Sequence, residues 1–265
     1  MAGKHLSNLE ASLNSRLLQR STRSLSLTEV GHAYYQRSKR ILEMFEDAQR
    51  EANDSQNTVR GILRLAVPVT FGAMKLGRVV ARYLNDHPNV SVEVSLNDRY
   101  VDVLSEGIDL AIRIGRLRDS ELVARRLASC RMMLCAAPAF LERNGFPSTI
   151  EQLRRMPRLE FSEAVSEGGW TVTDATGTAY MIDGPSRMRA NNMQALLSAA
   201  IAGTGIAYGP SFVFGESLAH GRLTLLLPEY RTTELGIHAI YPTARQVSQK
   251  VKRFVDYLSQ FRFDE

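Results

Sequence analysis

The stretch Arg16–Gly31, RLLQRSTRSLSLTEVG, threads three arginines among hydroxyl residues and changes its hydrophobic period twice. Just upstream, Leu6, Leu9 and Leu13 recur at spacings of three and four, which predicts one apolar stripe on a helix over residues 1–14. In Ser24–Leu27 the period falls to two, as in a short half-buried strand. Leu17-Leu18 before Gln19-Arg20 supplies its antiparallel partner, with Ser21-Thr22-Arg23 near the turn. Thr28 then reads as a helix N-cap, and Glu29 falls in the first turn, where the helix dipole favours an anion.

Charge follows the same segment. Residues 1–40 hold seven basic side chains (Lys4, Arg16, Arg20, Arg23, Arg37, Lys39, Arg40) against Glu10 and Glu29, so this end carries the whole net charge of +5. A basic module on a neutral body suggests a polyanion, and nucleic acid before membrane, since no strongly apolar helical face accompanies it. From Thr28 to Asn53 no proline intervenes, which predicts a helix about 40 Å long at ~1.5 Å per residue. Its stripe of Tyr34, Ile41, Met44, Phe45 and Ala48 needs a cover, either a helix from a second copy or the chain's own body. The polar run Ala52–Thr58 reads as a linker.

Beyond it the pattern alternates. Ile62–Val67, Val90–Leu96 and Ile108–Ile114 read as strands, Ala73–Asn85 as a helix and Val101–Glu106 as a short one. After Pro138 come helices near Ala139–Asn144, Ile150–Arg155, Met193–Ala202 and Phe212–Ala219. Strands lie near Leu159–Phe161, Trp170–Thr173, Tyr180–Ile182, Arg187–Arg189, Ile206–Tyr208 and Leu223–Leu227. Gly236–Tyr241 returns as a strand, and Val247–Phe261 closes as an amphipathic helix. Such alternation predicts an α/β fold with parallel sheet and crossover helices.

The exclusions are plain. The sequence has no apolar run near the roughly 20 residues of a membrane span and no secretory core at MAGKHLSNLE, so a cytoplasmic protein is expected. Cys130 and Cys135 do not have metal-site spacing and read as buried, reduced, structural thiols. There is no Gly-x-Ser-x-Gly elbow, and His5, His32, His87, His220 and His238 are scattered. Neither an enzyme nor a resident metal or cofactor is expected.

Three segments together resemble one family. KHLSNLEASLNSRLLQRSTRSLSLTEVG is similar to the end of the LysR-type regulators' winged helix-turn-helix, DLAIRIG at 109–115 to their "D.ai..g" element, and Ala202–Ala207 followed by Pro210 to their "G.Gi...P" element. The resemblance implies a partial winged helix-turn-helix over 1–27 and a linker and dimerisation helix over 28–58. An effector-binding domain over 59–265 would then be built of two Rossmann-like α/β subdomains of periplasmic-binding-protein type II. Subdomain I would take 59–134 plus 238–265 and subdomain II 135–237, with crossing strands at Arg131–Cys135 and Ile237–Ala239. The family has two helices ahead of its recognition helix, where this sequence has Met1, so either the reader head extends upstream or the chain is a shortened form.

The resemblance also distributes roles. Lys4, His5 and Asn8 would face bases, and Arg20, Ser21, Thr22 and Arg23 would meet phosphates from the wing. An effector would lie against Val69, Thr70 and Phe71 in the loop after the first α/β strand, beside Ile114-Gly115. Phe161, Ser162, Asn191, Asn192 and Gly205 would face it. Thr70, near a helix N-terminus, suits anionic groups or is an ordinary cap, and the alternative for Asn191 or Asn192 is a cap on the helix that follows. Trp170 belongs to the cleft or to the core. The function implied is an effector-modulated DNA-binding transcription regulator acting on promoter DNA as a homodimer or tetramer. The alternative is a small-molecule-binding module that does not bind DNA.

Overall fold

The structure is a computed structural model that describes residues 2–20, 25–53, 59–99, 102–117, 122–162, 169–242 and 247–263. The chain divides into two compact units, Met1–Thr58 and Val59–Glu265.

In the first unit, α1 (Ala2–Ser12) ends where Asn14 adopts a left-handed backbone, a conformation asparagine tolerates better than most residues. Strands β1 (Leu18–Arg20) and β2 (Leu25–Leu27) pair antiparallel with Leu18 opposite Leu27. Helix α2 (Glu29–Asn53) follows, and its cap is as expected: Thr28 Oγ1 accepts the Gly31 N–H at 2.9 Å.

The second unit begins with β3 (Gly61–Val67), buried along most of its length because parallel strands are covered on both faces. Helical backbone then runs unbroken through α3 (Val69–Phe71), a π segment (Gly72–Leu76) and α4 (Gly77–Asp86), starting four residues earlier than the sequence pattern suggests. There follow β4 (Val90–Leu96), β5 (Leu110–Ile114) and the 15-residue β6 (Leu122–Ala136). The short helix expected at 101–106 is instead a turn, with Val101 outside the described residues. The Asp102 carboxylate takes the N–H groups of Leu104 and Ser105, competing with helical bonding.

Next come α5 (Pro138–Asn144), α6 (Ile150–Arg154), β7 (Arg158–Phe161), β8 (Trp170–Thr173), β9 (Ala179–Ile182), β10 (Ser186–Ala190), α7 (Met193–Ile201), β11 (Ile206–Pro210) and α8 (Ser211–Ala219). The chain closes with β12 (Thr224–Leu225), β13 (Arg231–Thr232), β14 (Glu234–Pro242) and α9 (Gln249–Leu258).

Two half-sheets meet on β6. Strand order runs β10-β7-β11-β6-β14-β5-β3-β4, with β12 also on β6. Residues Leu122–Arg131 of β6 pair with β14, and Met132–Cys135 pair with β11, so β6 changes partner at Arg131/Met132. On the return path, Thr233 accepts the Met132 N–H at 2.8 Å, and the Thr232 hydroxyl donates to the Met132 carbonyl. That return crossing lies at Thr232–Glu234 rather than at Ile237–Ala239, which already pair with β5. Cys130 and Cys135 are buried on β6, and burial pushes both thiols up to about 12.

A small sheet, β13-β8-β9, is tied to β7 through Arg158. Trp170 is core: its ring lies 5.5 Å from that of Tyr208, and the Arg158 guanidinium sits 5.2 Å from it. Arg158 also donates to the carbonyls of Ile182 and Gly184, both at 2.8 Å, and pairs with Glu160 at 2.7 Å. Burial alone would raise the Glu160 pKa. Hydrogen bonds from Ser186 and Arg189, with the charges of Arg158 and Arg189, outweigh burial and hold it below the usual carboxylate range.

The C-terminal helix is tied back to the first half-sheet through Asp109. Its carboxylate accepts the Arg64 N–H at 2.9 Å and faces Lys250 Nζ at 3.4 Å, while Lys250 donates to the Ile62 carbonyl at 2.7 Å. The Lys250 side chain is only 11% exposed, so removing the Asp109 carboxylate takes compensating charge from a poorly solvated ammonium. Asp109→Ala should cost about 3 kcal/mol in urea unfolding; a loss under about 0.5 kcal/mol, the ordinary surface value, would show that the pair does not anchor α9.

Candidate functional site

At the N-terminal unit, Lys4, His5, Ser7 and Asn8 are exposed on α1, while Leu6, Leu9 and Glu10 are half-buried. One carboxylate oxygen, Glu10 Oε1, accepts the N–H groups of Leu17 at 2.7 Å and Leu18 at 3.1 Å, holding α1 to the start of β1. From the other side, Thr28 donates its N–H to the Leu17 carbonyl at 2.9 Å and its hydroxyl to the Arg16 carbonyl at 2.7 Å. Gly31 lies so close to the Leu17 carbonyl that a Cβ there would overlap it. Arg20 is placed by its backbone in β1, opposite Leu25. Ser21, Thr22 and Arg23 fall outside the described residues.

The second region lies at the C-terminal ends of the parallel strands, where open α/β sheets hold ligands. After β3, the Val69 N–H is taken by the Asp98 carboxylate at 2.9 Å. Thr70 is 5% exposed, and its hydroxyl has no hydrogen-bond partner among the described residues. Phe71 is fully buried, edge-on to Phe212 at 5.5 Å and 5.3 Å from Phe263. Since Phe212 opens α8 just past the C-terminal end of β11, this contact brings the C-terminal edges of the two half-sheets face to face. Phe71 is therefore a strut beneath the cleft rather than part of its surface. A π turn follows the loop directly, a departure from α geometry that recurs at functional sites.

Ile114 and Gly115 close β5, and Gly115 donates its N–H to the Gly236 carbonyl at 3.0 Å. Phe161 ends β7 and Ser162 follows it, and the exposed Asn191 follows β10. Asn192 is the N-cap of α7, its side chain accepting the Ala195 N–H at 3.0 Å, so the capping alternative accounts for it. Gly205 is elsewhere. It precedes β11, which pairs in parallel with β7 from Ile206 opposite Arg158, placing Gly205 at the other edge of the sheet from Phe161. Its missing side chain is explained by a close approach, since a Cβ would lie 2.6 Å from the Pro157 carbonyl oxygen. The residues that end β11 at the cleft edge are Gly209 and Pro210.

Residues 56–262 match the family model described as the LysR substrate binding domain. The chain belongs to the LysR family of transcriptional regulators. This regulator is 37% identical over 252 residues to an HTH-type transcriptional regulator of Haemophilus influenzae, covering 95% of this chain and 87% of that one. It is 31% identical over 256 residues to the HTH-type transcriptional activator AaeR of Escherichia coli, covering 97% and 82%. The solved structure of CrgA, a LysR-type regulator from Neisseria meningitidis, superposes with a TM-score of 0.70 at 30% identity, covering 97% and 87%. Full-length AphB of Vibrio cholerae gives 0.70 at 25%, covering 98% and 88%. The regulator therefore carries an effector-binding domain of two α/β subdomains, and its relatives are transcription regulators. Among the described residues no helix is long and apolar enough to cross a membrane, and no cluster of candidate metal ligands occurs.

Asp98 is the residue holding the loop after β3 that sequence reasoning missed. Its only signal was a carboxylate just past the strand Val90–Leu96, and nothing local tells that β4 lies beside β3. Its presence also alters the electrostatics. The first N–H of the helical run already faces a carboxylate, so the anion preference of that helix start is met from within the protein.

The Thr70 hydroxyl gives a test of whether the loop is built for a ligand. Thr70→Val exchanges a buried, unpaired hydroxyl for a methyl of similar size, so the ligand-free chain should gain about 1 kcal/mol. Thermal unfolding reads this directly, and a comparable loss would show that the hydroxyl is already satisfied.

Proposed function

We propose that this regulator binds double-stranded promoter DNA through residues 1–27, as a homo-oligomer joined along α2, and that a small molecule in the cleft modulates that binding. The observation carrying the DNA reading is α1 locked to the β1–β2 ribbon, with Lys4, His5 and Asn8 left exposed. A helix in the major groove with a ribbon beside it divides the contacts: α1 side chains meet base edges, and Arg20, Ser21, Thr22 and Arg23 meet phosphates. The cleft residues in this reading are Val69, Thr70, Ile114, Gly115, Phe161, Ser162 and Asn191, with Asp98 added. Because the Asp98 carboxylate already occupies the Val69 N–H at the helix start, the ligand suited to this loop is a neutral hydrogen-bonding molecule rather than an anion. It acts by favouring one closure of the cleft, and shifts the balance only by its differential affinity for the two.

Oligomerisation rests on α2, where Ile41 is 66% and Phe45 59% exposed on neighbouring turns. A second copy of the same helix covers such a stripe with matching residues. The alternative, a module that binds a small molecule without DNA, is favoured by the exposure of Leu13, Leu25 and Leu27, apolar surface on the elements that would meet DNA. A gel shift on promoter duplex at low salt separates the two, since the alternative gives no retardation.

Two outcomes are expected of variants. Arg23→Ala weakens binding similarly across sequences and flattens the salt slope by about one ion; a change confined to particular base pairs would contradict a phosphate contact. The pair Ile41→Glu with Phe45→Glu converts the oligomer to monomer in sedimentation velocity, because burying two carboxylates on the stripe without partners is strongly unfavourable. An unchanged mass would place the interface elsewhere.

A further inference from the structure

We propose that Glu10 is a positioning residue for DNA recognition, coupling the base-reading helix to the wing and to the long helix through the peptide groups of Arg16–Leu18. This rests on the DNA-binding reading above. The peptide groups of this short segment are shared out in opposite directions. The N–H groups of Leu17 and Leu18 point to Glu10 on α1, and the carbonyls of Arg16 and Leu17 point to Thr28 at the cap of α2. The Leu17 side chain is buried, and Gly31 admits the Leu17 carbonyl only because it lacks a Cβ. Turning α1 against β1 breaks the Glu10 bonds, and turning α2 against β1 breaks those of Thr28. The three elements therefore move as one body, and the spacing of two α2 helices in an oligomer sets the aim of two α1 helices.

The position of Glu10 runs against two general electrostatic preferences. It lies near the C-terminal end of α1, where the helix dipole disfavours an acid. It also sits in a segment whose proposed partner is a polyanion, which a carboxylate repels. Its value lies in the oxygen that receives two peptide donors, and this predicts which replacements are tolerated. Gln retains a side-chain oxygen that can accept both bonds. Met has similar length and helix propensity but no comparable acceptor. Both remove the same charge, so comparing them isolates the acceptor.

The test uses the full chain and its Glu10→Gln and Glu10→Met variants. Amide hydrogen exchange is followed at Leu17 and Leu18, and binding to a mixed-sequence duplex of about 40 base pairs is measured over a salt series. The Met variant should exchange about tenfold faster at those amides and bind about tenfold more weakly than the Gln variant. Its salt slope should be shallower, because wing cations no longer engage together with the helix. The Gln variant should keep the exchange protection of the original chain. Equal exchange in the two variants overturns the coupling. Faster exchange in the Met variant with affinity and slope equal to those of the Gln variant overturns the role in recognition. If the original chain leaves the duplex unbound at low salt, the DNA-binding reading falls and the recognition role with it, while the exchange comparison still decides the coupling.

Discussion

The second unit depends on one strand being shared. β6 pairs with β14 over Leu122–Arg131 and with β11 over Met132–Cys135, so a single run of extended backbone belongs to both half-sheets. Hydrogen bonding, not charge, holds this junction. The Arg126–Glu234 pair across β6 and β14 is more than half exposed on both side chains, and such pairs contribute only about 0–1 kcal/mol. The ladder itself cannot be given up piecemeal, because a buried peptide group without a partner costs more than the net gain of a formed bond. The two halves joined this way also share one hydrophobic core, in which Phe71 and Leu110 of the first half belong to the same buried cluster as Phe212 and Leu159 of the second.

The order of the chain follows from that sharing. Once β6 has carried it into the second half-sheet, the chain must return, and it does so beside Met132 through Thr232–Glu234. It then fills the gap between β5 and β6 with β14 and ends as α9, held by Lys250 against Asp109 and Ile62. The first half-sheet is thus completed by residues far along the chain. The Phe71–Phe212 contact makes the cleft loop sensitive to the angle between the halves, because one ring lies beside Thr70 and the other on α8.

In the first unit the same principle operates on a smaller scale. Two peptide groups, their N–H groups offered to Glu10 and their carbonyls to Thr28, fix two helices and a ribbon with little apolar burial. Leu17 is the buried hydrophobic of that unit among the described residues, whereas Leu25 and Leu27 remain exposed. Directional bonds set the geometry there, and the apolar surface is left for other partners.

By itself, the sequence determined what local periodicity and chemistry can specify. The helix over Ala2–Ser12, the ribbon around Leu18 and Leu27, the Thr28 cap and the βα alternation were all legible, because each is encoded by residues within a few positions of one another. The motif DLAIRIG marked a strand, realised at Leu110–Ile114. What those residues touch was decided only by tertiary structure. Asp98 reaches Val69 because β4 lies beside β3. Gly205 leaves the cleft because β11 runs parallel to β7. Phe71 is a strut because the second half-sheet brings Phe212 to it. Periodicity tells which face of an element is apolar, but strand order, direction and crossing point arise from pairings between distant segments, and those decide which side chains meet at the cleft.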